Sequence, residues 1–448
     1  MEYPGALCGK REIQKVINRK EMINMANLNI LRNEITSGAF DDRLSRLYGA
    51  DTEKARARYL HITHLFEEKF GDREDIRFFS APGRTEVCGN HTDHNHGQVL
   101  AAAINLDAVA CAVKTDDHFI RVYSENYPGD IIDINILEPQ MNEAEKSAAL
   151  VRGVAARFKE LGYNIGGIDC VTVNNVLKGS GMSSSASFEV LIGTMLNYLY
   201  NDGKISPVEI AQIAQFAENK FFGKPCGLMD QMACSVGSFV QIDFCDPANP
   251  VITPVEFDFA SCGHSLCIVD TRADHADLTD DYAAIRREME AVAGYFGKSC
   301  LREITETDVL SNVAGIKEKL GERPLLRAIH FFEDNKRVEK EAEALRNGDF
   351  ETFKAMTIAS GYSSYMYNQN VFSSSAPLSQ PVSLALAISE VILKDKGAWR
   401  VHGGGFAGTI QAFVPDALLN EYKNSMEAVF GEGSCYILAI RPFGGTEV

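Results

Sequence analysis

The stretch Gly179-Ser180-Gly181-Met182-Ser183-Ser184-Ser185-Ala186-Ser187 sets glycines and hydroxyls between two runs of different periodicity. Upstream, Ile168 to Val176 is rich in β-branched residues; downstream, Phe188, Leu191, Ile192, Met195, Leu196 and Leu199 recur at helical spacing. Strand, glycine loop and helix N-terminus therefore follow in order, which suits a phosphate group. Glycines let an anion approach the backbone, the first N–H groups of the helix point at it, and the helix dipole adds roughly half a positive charge. Serine hydroxyls can donate to phosphate oxygens or ligate magnesium. No lysine follows the last glycine, so this is not a Walker-type loop. A small-residue turn with serine caps is the purely structural alternative.

A second chemical cluster is His91-Thr92-Asp93-His94-Asn95-His96. An extended His91-x-Asp93 pair places both side chains on one face, suited to adjacent sugar hydroxyls. Histidines interleaved with an aspartate are also what a hydrolytic metal site uses. The other histidines (61, 64, 118, 264, 275, 330 and 402) form no second ligand group at recognisable spacing, which favours the sugar over the metal.

Four ordered segments now bear comparison with known families: GRTEVCGNHTDH (83–94), GMSSSAS (181–187), PCGLMDQ (225–231) and GGGFAG (403–408). Together they resemble the superfamily of galactokinase, homoserine, mevalonate and phosphomevalonate kinases (GHMP kinases), and within it the galactokinases. The corresponding galactokinase patterns are G-R-x-N-x-I-G-E-H-T-D-Y, G-L-S-S-S-A-S, P-C-G-I-M-D-Q and G-G-G-F-G-G. The resemblance implies an α+β fold of two domains, a mixed-sheet N-terminal domain and an α/β C-terminal domain, with the active site in the cleft between them. It implies ATP as co-substrate, Mg2+ as cofactor, and phosphorylation of galactose at the C1 hydroxyl.

By the same resemblance Asp230 takes the catalytic aspartate position and Arg84 the arginine beside it. An arginine close to a carboxylate favours its ionised form and can stabilise charge on a transferred phosphoryl group. The nucleotide falls to residues 179–187. Ser185 and Glu218 take the magnesium positions; a hard cation that keeps several waters needs little more from the protein. His91, Asp93, Gly227 and Tyr282 take sugar-contacting positions, and Gly403, Gly404 and Gly405 form the third motif. A kinase for a related aldose or amino sugar, or a non-catalytic galactose and ATP sensor, stands as the alternative; Arg84, Glu218 and Asp230 together favour an enzyme.

The chain also departs from the pattern. Asn90 stands where galactokinases carry the glutamate of G-E-H, associated with the sugar's C6 hydroxyl, and Glu86 stands where they usually carry asparagine. Asn90 is therefore expected to read C6 with a weaker penalty for its loss, with Glu86 as a compensating carboxylate. His94 replaces a tyrosine and Ala407 a glycine, and residues 362–379 lack the expected S-H-x-S-L-R-D and E-L-D text.

The elements that must position these residues follow from local pattern. Residues 1–60 read as a helical N-terminal extension, 61–262 as the domain carrying the sugar and phosphate-loop motifs, and 263–448 as the second domain. Strand-like runs include IRFFSAP, VLAAAINLDAVACAV, FIRVYS, SLCIVDT, GTIQAFVP and SCYILAIRP, and SFVQIDF with VITPVEFDF reads as a hairpin. Helical runs precede the phosphate strand and Asp230 and fill most of 271–393. The 448 residues, 45% hydrophobic, are long enough for sizeable cores, and a net charge of −17 argues against nucleic acid or an anionic membrane surface as partner. Eleven cysteines without a C-x-x-C pair fit a reducing compartment, and a charged N-terminus lacks a signal-peptide pattern. A cytoplasmic protein is expected, with a monomer as the working state and a dimer left open.

Overall fold

The computed structural model describes residues 27–176, 181–224, 226–272, 278–406 and 408–448. The expected loop residues Gly179 and Ser180, together with Pro225 and Ala407, lie outside them, as does the first part of the N-terminal extension.

Two sheets organise the chain. The first contains β1 (Arg77–Cys88), β2 (Gln98–Thr115), β3 (Phe119–Ser124), β4 (Asp130–Asp133) and β5 (Gly167–Asn174), with the hairpin β6 (Phe239–Asp243) and β7 (Val251–Val255) attached to β2. The second holds β8 (His264–Asp270), β9 (Ala398–Val401), β10 (Thr409–Pro415) and β11 (Cys435–Leu438) in the order β11-β8-β10-β9. A last strand, β12 (Thr446–Glu447), returns to the first sheet beside β1. The fold is thus α+β with a mixed first sheet, since β3 runs parallel to β5 and the other pairs are antiparallel.

Strand alternation explains how the first sheet is covered on both faces. Phe79, Ala108, Ala110, Ala112 and Cys170 face one side, where they meet α4 (Ser147–Glu160), α5 (Ser184–Tyr200) and α6 (Pro207–Ala217). Phe78, Val109, Cys111, Val171 and Val173 face the other. There α1 (Leu28–Ser37), α2 (Asp41–Tyr48) and α3 (Thr52–Phe70) bury Leu31, Leu44, Tyr59, Ile62 and Phe66. The N-terminal helices are therefore a structural layer of the sheet. A third cluster joins the two sheets through Leu100, Ile104, Leu266, Ile268 and Phe413. The helices α8 (Thr279–Tyr295), α9 (Glu306–Ser311), α10 (Val313–Leu320), α11 (Glu322–Arg346) and α12 (Phe350–Ser363) lie between β8 and β9 in sequence, followed by α13 (Pro381–Leu393).

The expected strands and the hairpin closed by residues 246–250 are present, with β6 and β7 antiparallel. Sequence pattern missed β4, β9 and β12, all of four residues or fewer, too short to show periodicity. Among the described residues no helix is long and apolar enough to cross a membrane.

One buried carboxylate ties the layers together. Asp107, fully buried on β2, accepts from Tyr48 at 2.6 Å, from Arg441 at 3.0 Å, and from Arg58 and Ser80. Burial pushes its pKa up, but Arg58 and Arg441 outweigh it and hold it below the ordinary value. The carboxylate's contribution is therefore present above the unfolded-state pKa and is lost as acid protonates it. Asp107→Ala leaves the buried Arg441 and the half-buried Arg58 without their counter-charge and is expected to lower stability by about 3–5 kcal/mol, measured by urea unfolding at neutral pH.

Candidate active site

β1 carries the first motif, and its geometry sets the site. Arg84, Thr85 and Glu86 pair in unbroken register with Ala103, Ala102 and Ala101, between shifts at Pro82/Arg84 and Glu86/Cys88. Arg84 and Glu86 consequently face one way and Thr85 the other. Gly83 is required by close approach: a Cβ there would sit 2.8 Å from the Met182 carbonyl oxygen.

Arg84, 7% exposed, donates through Nε to Asp230 Oδ1 at 2.8 Å and through its guanidinium to the Gly181 carbonyl. Asp230 lies in the first turn of α7 (Met229–Val236), and its second oxygen accepts from the Ser183 hydroxyl. Burial raises the Asp230 carboxyl, but Arg84 and the Ser183 hydroxyl outweigh that and hold it below its ordinary pKa. The group is an ionised acceptor with a third of its side chain still exposed (34%).

The serine loop opens onto the same pair. Gly181 takes φ +70° and Ser183 φ 58°, both left-handed, turning the chain into α5. Ser183 occupies the N-cap position but makes no side-chain cap, because its hydroxyl is on Asp230. The first turn of α5 thus offers an anion N–H groups that no side chain caps. Ser184 receives a bond from Asn174, Ser185 is exposed, and Met182 and Ala186 are buried. The Ser187 hydroxyl donates to the Ala81 carbonyl at 2.7 Å, which docks the helix on β1.

Glu218, 3% exposed, begins a π-turn (Glu218–Phe222) at the end of α6. It accepts from Gln231 Nε2 at 2.7 Å, and the same amide donates to Glu189 at 3.1 Å. Burial and the neighbouring Glu218 raise the Glu189 carboxyl well above the ordinary range. Glu189 lies in no motif, and Gln231, although it ends the PCGLMDQ segment, has no role that the sequence assigns; sequence reasoning missed both. No group of three or more His, Cys, Asp or Glu that could hold a metal is present among the described residues.

On the sugar side, His91 and Asp93 are not extended as their spacing predicts. His91 has φ +61° and Asp93 starts a 3-10 turn, because Thr92 folds the chain back by donating to the Gly89 and Gln98 carbonyls at 2.9 and 2.6 Å. The turn still brings Asp93 to Gly227, where a Cβ would lie 3.0 Å from Asp93 Oδ2. His91 Nε2 bonds the Gly404 carbonyl at 2.9 Å, and a carbonyl only accepts, so Nε2 carries the proton and Nδ1 is left as an acceptor. Burial first, then the charge of His94, lowers the His91 pKa to about 4.

The third motif closes the arrangement. Tyr282 donates to the Gly405 carbonyl at 2.9 Å and packs on Gly404, where a Cβ would clash with its ring at 2.5 Å. The Gly403 carbonyl accepts from Asn90 at 2.6 Å. His402, which sequence reasoning had left unassigned, bridges Thr409 (2.9 Å), Thr85 (3.1 Å) and the Glu86 amide (3.3 Å). The four motifs therefore meet around Arg84, although up to 319 positions separate Arg84 from Gly403.

Two family models match. Residues 149–238 match "GHMP kinases N terminal domain" and residues 64–114 match "Galactokinase galactose-binding signature". Residues 149–238 are thus a GHMP kinase N-terminal domain. Among solved structures, a Lactococcus lactis galactokinase complexed with galactose is similar at 25% identity and TM-score 0.71, covering 87% of this chain and 99% of that one. The mevalonate kinase of Methanococcus jannaschii aligns at 14% identity, TM-score 0.58, over 81% of this chain and 98% of its own. The phosphomevalonate kinase of Streptococcus pneumoniae aligns at 13%, TM-score 0.56, over 83% and 99%. These last two carry the fold alone.

Because His91 is neutral above about pH 4, the KM for sugar should show no inflection from it through the neutral range. His91→Gln, which keeps a donor and an acceptor, should leave that pH profile flat. Initial rates at saturating ATP across a buffer series check this; a midpoint near the ordinary histidine value that vanishes in His91→Gln would contradict the neutral imidazole.

Proposed function

We propose that the protein transfers the γ-phosphoryl group of ATP to the C1 hydroxyl of galactose. The observation that carries this reading is the Arg84–Asp230 pair, which stands where the anion-ready start of α5 meets the His91, Asp93 and Gly227 wall. The match to a galactose-binding signature supports the sugar, as does the similarity to a galactokinase complexed with galactose.

In the proposed reaction the C1 oxygen bonds to the γ-phosphorus as the bridging oxygen leaves with ADP. The hydroxyl proton passes to Asp230 and on to solvent. A carboxylate held below its ordinary pKa is a weak base, so Asp230 mainly orients the hydroxyl and accepts its proton late, in keeping with a loose transition state. Arg84 stabilises the charge that develops on the transferred group. A planar fork shared between Asp230 and the Gly181 carbonyl holds that orientation, which lysine cannot reproduce.

For the nucleotide, the backbone of residues 179–187 is the proposed cradle. The exposed Ser185 hydroxyl and the Glu218 carboxylate would hold Mg2+. Two or fewer protein oxygens fit a cation that keeps its waters and takes the rest of its ligands from phosphate. Bound there, Mg2+ would neutralise phosphate charge. We assign sugar and phosphate motifs to an N-terminal domain (61–262) carrying a helical extension (1–60), and the third motif to a C-terminal domain (263–448). The proposal includes a cytoplasmic location and a monomeric enzyme.

An ADP-release assay across a panel of free sugars should give turnover with galactose above other aldoses and amino sugars. Asp230→Asn should lower kcat by roughly 100-fold or more while leaving ATP affinity, measured calorimetrically, within a few-fold. Near-normal turnover in that variant would remove Asp230 from its role. Binding of galactose and ATP without ADP release in the parent protein would make it a sensor.

A further inference from the structure

Asn90 is fully buried and its amide has no valence left for a ligand. Nδ2 donates to Glu86 Oε1 at 2.8 Å and to the Gly403 carbonyl at 2.6 Å. Oδ1 accepts from Asn370 Nδ2 at 2.6 Å and from the Ser364 hydroxyl at 3.5 Å. Two donors and two lone pairs are the whole capacity of a primary amide. The backbone is engaged as well, with the Asn90 N–H on Asp334 and its carbonyl on His330.

Glu86 is in the opposite condition. Its Oε1 takes Asn90 and, at 3.5 Å, the Arg400 guanidinium, whereas Oε2 takes no hydrogen bond from the described residues and the side chain keeps 7% exposure. A nearly buried carboxylate oxygen without a donor is costly until something donates to it. Glu86 lies on the same face of β1 as Arg84, two residues and so about 7 Å along the strand. Arg84 and Asp93 both act electrostatically on it. That spacing matches a six-membered sugar whose reacting hydroxyl is at Arg84–Asp230 and whose far edge is at Glu86.

We propose that Glu86 is the carboxylate that reads a sugar hydroxyl remote from C1, and that Asn90 is a positioning residue that fixes it. This rests on the sugar-kinase reading above and replaces the direct sugar contact expected of Asn90. Ser364 and Asn370, which hold Asn90, come from the segment 362–379 that departs from the galactokinase text. The two departures are thus one hydrogen-bonded unit, anchored from behind by Arg400 on β9.

The test compares the parent protein with Glu86→Gln on galactose and its 2-, 3-, 4- and 6-deoxy analogues. Sugar binding is measured by calorimetry and turnover by kcat/KM, with Tm and ATP affinity as folding checks. In the parent, the analogue lacking the hydroxyl that Glu86 reads should fall roughly 10- to 100-fold below galactose. Glu86→Gln should lose a similar factor on galactose and almost nothing further on that analogue, so that the two losses do not add. Asn90→Ala should relax the same selectivity by raising the sugar KM, with kcat and ATP affinity near normal. Equal losses on galactose and every analogue in folded Glu86→Gln overturn the assignment while leaving the kinase reading in place. Unchanged selectivity in folded Asn90→Ala overturns the positioning role. A parent protein that neither binds nor phosphorylates galactose or any analogue overturns the kinase reading and this inference together.

Discussion

Asp107 is the constraint on which the arrangement depends. Its carboxylate collects donors from α2, α3, β1 and the C-terminal tail, elements that no local interaction would bring together. A buried charge of this kind tolerates one geometry, because every displaced donor exposes an uncompensated charge to a low-dielectric interior. Ser80, one of those donors, lies four residues before Arg84 on the same strand. Fixing β1 at Asp107 thereby fixes the direction in which Arg84 and Glu86 project.

Beyond that anchor the pocket is held by side chains bonded to backbone carbonyls of the third-motif turn. Asn90, His91 and Tyr282 each bond a different glycine carbonyl among Gly403, Gly404 and Gly405. Glycine at 405 is demanded twice, by φ +81° and by the Asn370 carbonyl, 2.0 Å from where a Cβ would stand. The turn is therefore a fastening between the sugar side and the second sheet. The phosphate side is held separately, through Ser183 and Arg84 on Asp230.

The motifs and long strands were legible in the sequence because each rests on local chemistry: glycines where backbone must approach, alternation on β1 and β2, and a helical period after Ser184. Arg84 and Asp230 came from resemblance and meet at hydrogen-bonding distance. What escaped was tertiary partnership. Arg400, Asn370 and His402 look like ordinary polar residues in sequence, and their meaning comes from neighbours more than 270 positions away. The extended reading of His91 and Asp93 failed because Thr92 has a better use for its hydroxyl, in a turn, than alternation could anticipate. Glu218 was assigned to magnesium by resemblance, and no local pattern indicated the π-turn that carries it inward beside Gln231.

The return of β12 to the first sheet has a consequence for the topology of folding. β12 completes the edge of β1, and Arg441 supplies one of the charges on Asp107, yet both stand more than 330 positions further along the chain than the groups they meet. The first sheet therefore cannot close its ionic core from neighbouring segments alone. Until Arg441 docks, the Asp107 carboxylate has Arg58 as its counter-charge, and the second guanidinium arrives through a contact of high sequence separation, the kind that slows folding.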